Sequence, residues 1–128
     1  MAPRLKTGFF AITFALAFAL CASAKDPERI PAAGNQTIVK EFRKDGTIKT
    51  LTRIDNADGS IIAIQYYTPK GRATHADYFD DKKRVRRRVF YREDGTPNIA
   101  KEFDEHGKVI FEDEHDRNGN VIKRRPVK

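Results

Sequence analysis

The chain has 128 residues, 25 of them Lys or Arg against 18 Asp or Glu, a formal charge of +7, one cysteine and no tryptophan. A single cysteine excludes an intrachain disulfide framework, and a core must come from sheet or helix packing.

Residues 1–24 read as a secretory signal helix. Arg4 and Lys6 precede an uncharged run from Thr7 to Ala24 that closes on Ala22-Ser23-Ala24, and its strongly apolar part, Phe9 to Cys21, is short of the roughly 20 residues a membrane span needs. Leu20 before Cys21 argues against lipidation. Export is therefore expected, to the periplasm or beyond, with no transmembrane segment in the mature chain. Loss of Arg4 and Lys6 lowers the charge surplus from seven to five. Lys25 to Gln36, with Pro27, Pro31 and Gly34, is expected to be a flexible leader.

From about Thr37 to Lys128 one rhythm governs the chain. Gly46, Gly59, Gly71, Lys83, Gly95, Gly107 and Gly119 recur at twelve residues, with one interval of thirteen. Twelve residues suit one strand and one tight turn. Triplets such as Glu93-Asp94-Gly95 fit a three-residue loop in which a type I turn precedes a residue of positive φ. Lys83 occupies that slot once and should be strained there. The flanking residues then pair across each hairpin: Phe42 with Ile48, Tyr67 with Ala73, Phe79 with Val85, Tyr91 with Pro97, Phe103 with Val109. A four-residue loop, Asn56 to Gly59, absorbs the long interval and pairs Ile54 with Ile61.

Uninterrupted pairing beyond these clasps predicts Glu41 opposite Lys49, Asp77 opposite Arg87, Arg86 opposite Glu102, Glu112 opposite Arg124 and Asp113 opposite Lys123. It also gathers Ile54, Tyr67, Phe79, Tyr91 and Phe103 on one face. The expected fold is an all-β antiparallel meander of about seven to eight strands, curled or partly closed into a barrel to bury that face. A long open sheet is the alternative, and its edges would invite self-association.

The segments Phe79-Asp80-Asp81-Lys82-Lys83-Arg84-Val85, Phe103 to Val109 and His115 to Val121 resemble the YD (RHS-type) repeats of bacterial surface and toxin-delivery proteins. They are also similar to the hairpin repeats of MORN-variant proteins. Tyr67 and Tyr91 depart from the pattern, being followed by Thr68 and Arg92, and His115 stands in an aromatic slot. The resemblance implies an extended meander serving as a structural or carbohydrate-associated surface, and it implies no catalytic residues.

Chemistry is sparse. His106 falls in a turn and His115 in a clasp, and only His75, near Asp77, sits where a base or a metal ligand would be conceivable. Asp116, Asn118 and Gly119 echo the start of a calcium loop, but Arg125 stands where the closing glutamate is needed. No cofactor is expected. The basic run Lys82, Lys83, Arg84, Arg86, Arg87 and Arg88 is the candidate site for an anionic ligand, with predicted acids opposite Arg84, Arg86 and Arg87. The expected function is a non-enzymatic, exported binding module whose partner is a protein or an anionic glycan of the cell envelope, and export argues against nucleic acid. The alternatives are a small inhibitor or immunity-type protein that neutralises a toxin or hydrolase, and an enzyme built on His75 and Asp77.

Overall fold

A computed structural model describes residues 25–128; the expected signal segment lies outside the described residues. Nine strands follow one another: β1 (Glu28–Ala32), β2 (Gln36–Phe42), β3 (Ile48–Asp55), β4 (Ile61–Tyr67), β5 (Ala73–Phe79), β6 (Val85–Tyr91), β7 (Pro97–Phe103), β8 (Val109–His115) and β9 (Val121–Pro126). They form one antiparallel sheet in sequence order. Segment 25–36, expected as a flexible leader outside the repeat, contributes β1, which pairs with β2 from Glu28 opposite Lys40 to Ala32 opposite Gln36. That strand raises the count above the seven or eight expected.

The turns are those the glycine spacing implies. In the β5–β6 hairpin the Asp80 N–H bonds to the Arg84 carbonyl at 2.9 Å and the Lys83 N–H to the Asp80 carbonyl at 3.1 Å, a type I turn closed by a left-handed residue. Lys83 holds that position at φ 65°, the strained exception to the glycines elsewhere. The longer β3–β4 loop closes with Gly59 N–H on the Asp55 carbonyl, and Ile54 faces Ile61. All six predicted clasps are present.

Beyond each clasp the register departs from the uninterrupted ladder. Phe79 faces Val85, but Tyr78 faces Arg87, so Arg86 is an extra, bulged residue. The same insertion follows every clasp from β2–β3 to β8–β9, at Lys49, Ile62, Thr74, Arg86, Asn98, Ile110 and Ile122. A bulge shifts everything past it by one residue, which exchanges the two faces.

Six residues separate Val85 from Tyr91, an even number that would keep both on one face of a regular strand. With Arg86 bulged they lie on opposite faces. Successive clasps therefore alternate, with Phe42, Tyr67, Tyr91 and His115 on one face at one end of the sheet. Ile54, Phe79 and Phe103 lie on the other face at the opposite end. The expectation that the clasp residues share one face is corrected accordingly, and the sheet is not closed into a barrel. The sheet stays open, and each strand contacts only its neighbours in sequence.

The buried apolar side chains are few and small: Val39, Ala63, Ala76, Val89 and Ala100. Ala76, Val89 and Ala100 stand side by side across β5, β6 and β7, shielded by longer neighbours. A layer this thin takes its order from the backbone ladder and cross-strand pairs more than from a deep core.

Candidate functional site

The six basic residues singled out in the sequence do not form one cluster: Arg84 and Arg86 meet at Asp80, and Arg84 and Arg88 line one concavity together with Asp104 and Glu105. Lys82 and Lys83 lie exposed in the β5–β6 turn. Arg84 returns to the turn through Asp80, its Nε donating to Oδ2 at 3.1 Å. The bulged Arg86 donates from Nε to the Phe103 carbonyl at 2.9 Å and from a terminal nitrogen to Asp80 at 3.3 Å. Arg87 and Arg88, as adjacent strand residues, project to opposite faces.

On the face that carries Tyr67 and Tyr91, Arg87 reaches Glu102 at 3.0 Å and Asp113 at 3.1 Å, and Arg124 approaches the same two carboxylates at 3.0 and 3.3 Å. The Arg124 guanidinium also lies 4.0 Å from the centre of the Phe111 ring. On the other face Arg88 grips both oxygens of Asp77, at 2.6 and 3.0 Å. These hydrogen bonds raise the Arg88 pKa further, so it stays charged. The predicted partners were one residue away in each case: Asp77 opposite Arg87, Glu102 opposite Arg86, Asp113 opposite Lys123, Glu112 opposite Arg124. The bulges supply Arg88, Arg87, Arg124 and Arg125 in their place. Glu41 likewise faces Thr50, not Lys49.

The turn aspartates serve the turns. Asp80 Oδ1 accepts from the N–H groups of Lys82 and Arg84 at 2.8 and 2.9 Å. The Arg84 amide, then the Lys82 amide and the Arg84 and Arg86 side chains, hold its pKa down at about 2 against a partial opposing effect of burial. Asp104 and Asp116 repeat this arrangement, and their pKa values are likewise lowered, chiefly by the Lys108 and Asn120 amides.

Arginines also stitch successive hairpins together. Arg43 donates to the carbonyls of Ile48 and Tyr67, and Arg92 to those of Pro97 and His115. Arg72 pairs with Glu93, and Arg117 with Asp94. All lie along one end of the sheet, a line of bonds across its strands that the sequence repeat alone did not disclose.

His75 is packed between aromatic rings. Its ring stacks on Tyr66 with centroids 4.6 Å apart and planes 18° apart, and Phe90 lies 6.1 Å away on its other neighbour strand. Its Nδ1 is 3.1 Å from the Thr74 hydroxyl. Asp77 shares its face and is bonded through both carboxylate oxygens to Arg88, while the polar contact of the His75 ring is with Thr74. His115 is buried in its clasp. Tyr91, half-buried, has its phenol pushed up to about 12 by burial and then by Tyr78 and Tyr67, which protects the neutral form. Among the described residues no group of three or more His, Cys, Asp or Glu side chains is placed to hold a metal.

The concavities follow the same pattern. A groove of about 370 Å³ crosses β2 to β5 between Ile38, Leu51, Ala63, Ala76 and Tyr78, with Arg53 as the charged group lining it. Its walls carry no pairing of nucleophile and base. The open surfaces are the two faces and the outer strands.

No protein-family model matches the sequence, and no protein of curated function matches it. Among solved structures, accessory secretory protein 1, 2 and 3 of Streptococcus pneumoniae contains a region similar to this chain, at 25% identity and a TM-score of 0.53, covering 76% of this chain and 18% of that one. The GtfA/B complex contains another, at 19% identity and a TM-score of 0.56, covering 87% of this chain and 22% of that one. The chain thus spans about one-fifth of the length of the proteins it resembles.

Proposed function

We propose that the protein is an exported, non-enzymatic interaction module whose partner is a protein. The observation that carries this reading is the open single-layer sheet, with both faces and both outer strands uncovered among the described residues and charged side chains such as Arg87 and Arg88 committed to holding strands together. Such a layer presents a wide, stiff surface without a chemical centre. The similarity to part of accessory secretory protein 1, 2 and 3 supports it, because there a comparable sheet forms about one-fifth of a larger chain. Cross-linking of the full chain in its native extract, identification of the linked protein and reconstitution of a defined complex from pure components is the test. Substrate turnover lost on His75→Ala with the fold intact would overturn the reading.

A further inference from the structure

The two outer strands are unlike each other. β1 is five residues long, carries Glu28 and Arg29 in balance, and contains Pro31, which offers no N–H to an incoming strand. β9 carries Lys123, Arg124 and Arg125 in succession, with no acid of its own, and is the outermost strand on its side among the described residues. Ile122, at its bulge, is 62% exposed.

The direction of its backbone groups follows from one bond. The Val127 N–H donates inward to the Ile110 carbonyl at 2.9 Å, and in an antiparallel pair alternate residues turn N–H and C=O to the same side. Arg125 and Lys123 therefore also bond inward. The Arg124 N–H and the carbonyls of Arg124 and Pro126 face outward, one donor and two acceptors that an added strand can satisfy.

Charge decides which strand fits. β8 presents Glu112, Asp113 and Glu114, and β9 answers with Arg125, Arg124 and Lys123. Arg124 is engaged with Glu102 and Asp113, and Arg125 with Glu112 and Glu114, so Lys123 is the β9 cation without an ion pair in the structure. An acidic strand continues the alternation and meets it, whereas a cationic strand finds no acid of β9 to answer it. A second copy is a poor occupant. Antiparallel pairing of two β9 strands about Arg124 sets Lys123 against Arg125 and Arg124 against itself. Head-to-tail addition fails differently: in a nine-stranded antiparallel meander β1 and β9 run the same way, so a translated copy offers a parallel strand that contains Pro31.

We propose that β9 is a docking edge for an extended acidic peptide segment of a partner protein, which adds to the sheet as a tenth strand. The proposal rests on the reading of the chain as an interaction module and gives that module its contact strand.

The test is an amide-resolved titration of the full chain with a blocked heptapeptide of alternating glutamate and valine. Controls are the same peptide N-methylated at alternate backbone positions and a lysine-for-glutamate version. Expected results are shifts confined to residues 121–127 and Arg124 amide exchange slowed about tenfold when the peptide is at ten times its Kd. Both controls should show no protection. Lys123→Gln, which breaks no ion pair in the structure, should weaken binding about two- to fivefold. Equal binding of the N-methylated peptide, protection on β1 or on a sheet face, or no binding would each overturn the proposal. If the acidic peptide fails while a native partner still cross-links to a sheet face, the docking edge is wrong and the interaction module stands. If the peptide docks at β9 but no native partner is found, the module reading is the part that fails.

Discussion

Arg88→Ala should destabilise the protein more than Asp77→Ala, although the two residues form one ion pair. The Asp77 carboxylate is 7% exposed and the Arg88 side chain 37%. Removing the arginine leaves a buried charge without its two strongest donors, and the stranded partner of a buried pair costs about 3–5 kcal/mol. The lower end applies, about 3 kcal/mol, because one side of this pair reaches solvent. Removing the aspartate leaves a guanidinium that turns to water, at about 1.5 kcal/mol. The double variant removes the stranded carboxylate as well, so it should sit near the Asp77→Ala value of about 1.5 kcal/mol, a coupling of about 3 kcal/mol. For a folded unit of this size the larger loss lowers Tm by about 12–20 °C. Urea unfolding followed by circular dichroism gives all three values. Arg87→Ala belongs in the same experiment, since an unbulged ladder places Arg87 opposite Asp77. Coupling of Asp77 to Arg87 in place of Arg88, or a greater loss from Asp77→Ala, would refute the bulged register.

Acid should destabilise the fold in a defined window. Asp80 is held at about 2 when folded and returns toward about 3.9 when unfolded, so its contribution is fully present above pH 4 and is lost as pH falls from 4 through 2. Asp80→Asn should flatten the stability profile between those limits, measured by urea midpoints at each pH. Lys83→Gly should stabilise by about 1 kcal/mol, because the lysine holds a left-handed φ of 65° that glycine adopts freely. Gly95→Ala should cost about 1–2 kcal/mol by the same argument in reverse; nothing lies within 4 Å of the added methyl, so thermal melts of this variant report backbone strain alone. His75→Ala should cost about 1 kcal/mol through the lost ring stacking and leave partner binding unchanged in a binding assay.

The glycine spacing made the hairpins legible because three physical requirements coincide there: a positive φ, a fixed loop length and an aromatic clasp. The remainder of the register was harder to read. The runs Arg86-Arg87-Arg88 and Lys123-Arg124-Arg125 tolerate a slip of one residue with charges still matched, so complementary charge did not distinguish the bulged ladder from the regular one. The better signal was steric. Only the bulged register lines up Ala76, Val89 and Ala100 across three strands, whereas the regular one sets Ala76 against Arg88. The candidate basic site failed to gather for a related reason, since adjacent strand residues point apart whatever their charge. The hairpin-to-hairpin stitching by Arg43 and Arg92 left no trace in local pattern, because each arginine spans to a carbonyl more than twenty residues away.

One extra residue per repeat accounts for the open architecture. Without the bulges, the clasp residues from Phe42 to His115 would share a face, and so large an apolar stripe would require a second layer or a closed barrel to leave water. With them, the clasps divide between opposite faces at opposite ends of the sheet, so neither stripe is broad enough to compel a cover. Each bulge also increases local twist and interrupts the flat ladder that favours stacking of sheets. What is left with unpaired backbone groups, among the described residues, is the pair of outer strands. β1 answers that exposure with brevity and Pro31, and β9 with three consecutive cations, which repel another β9 but suit an acidic strand.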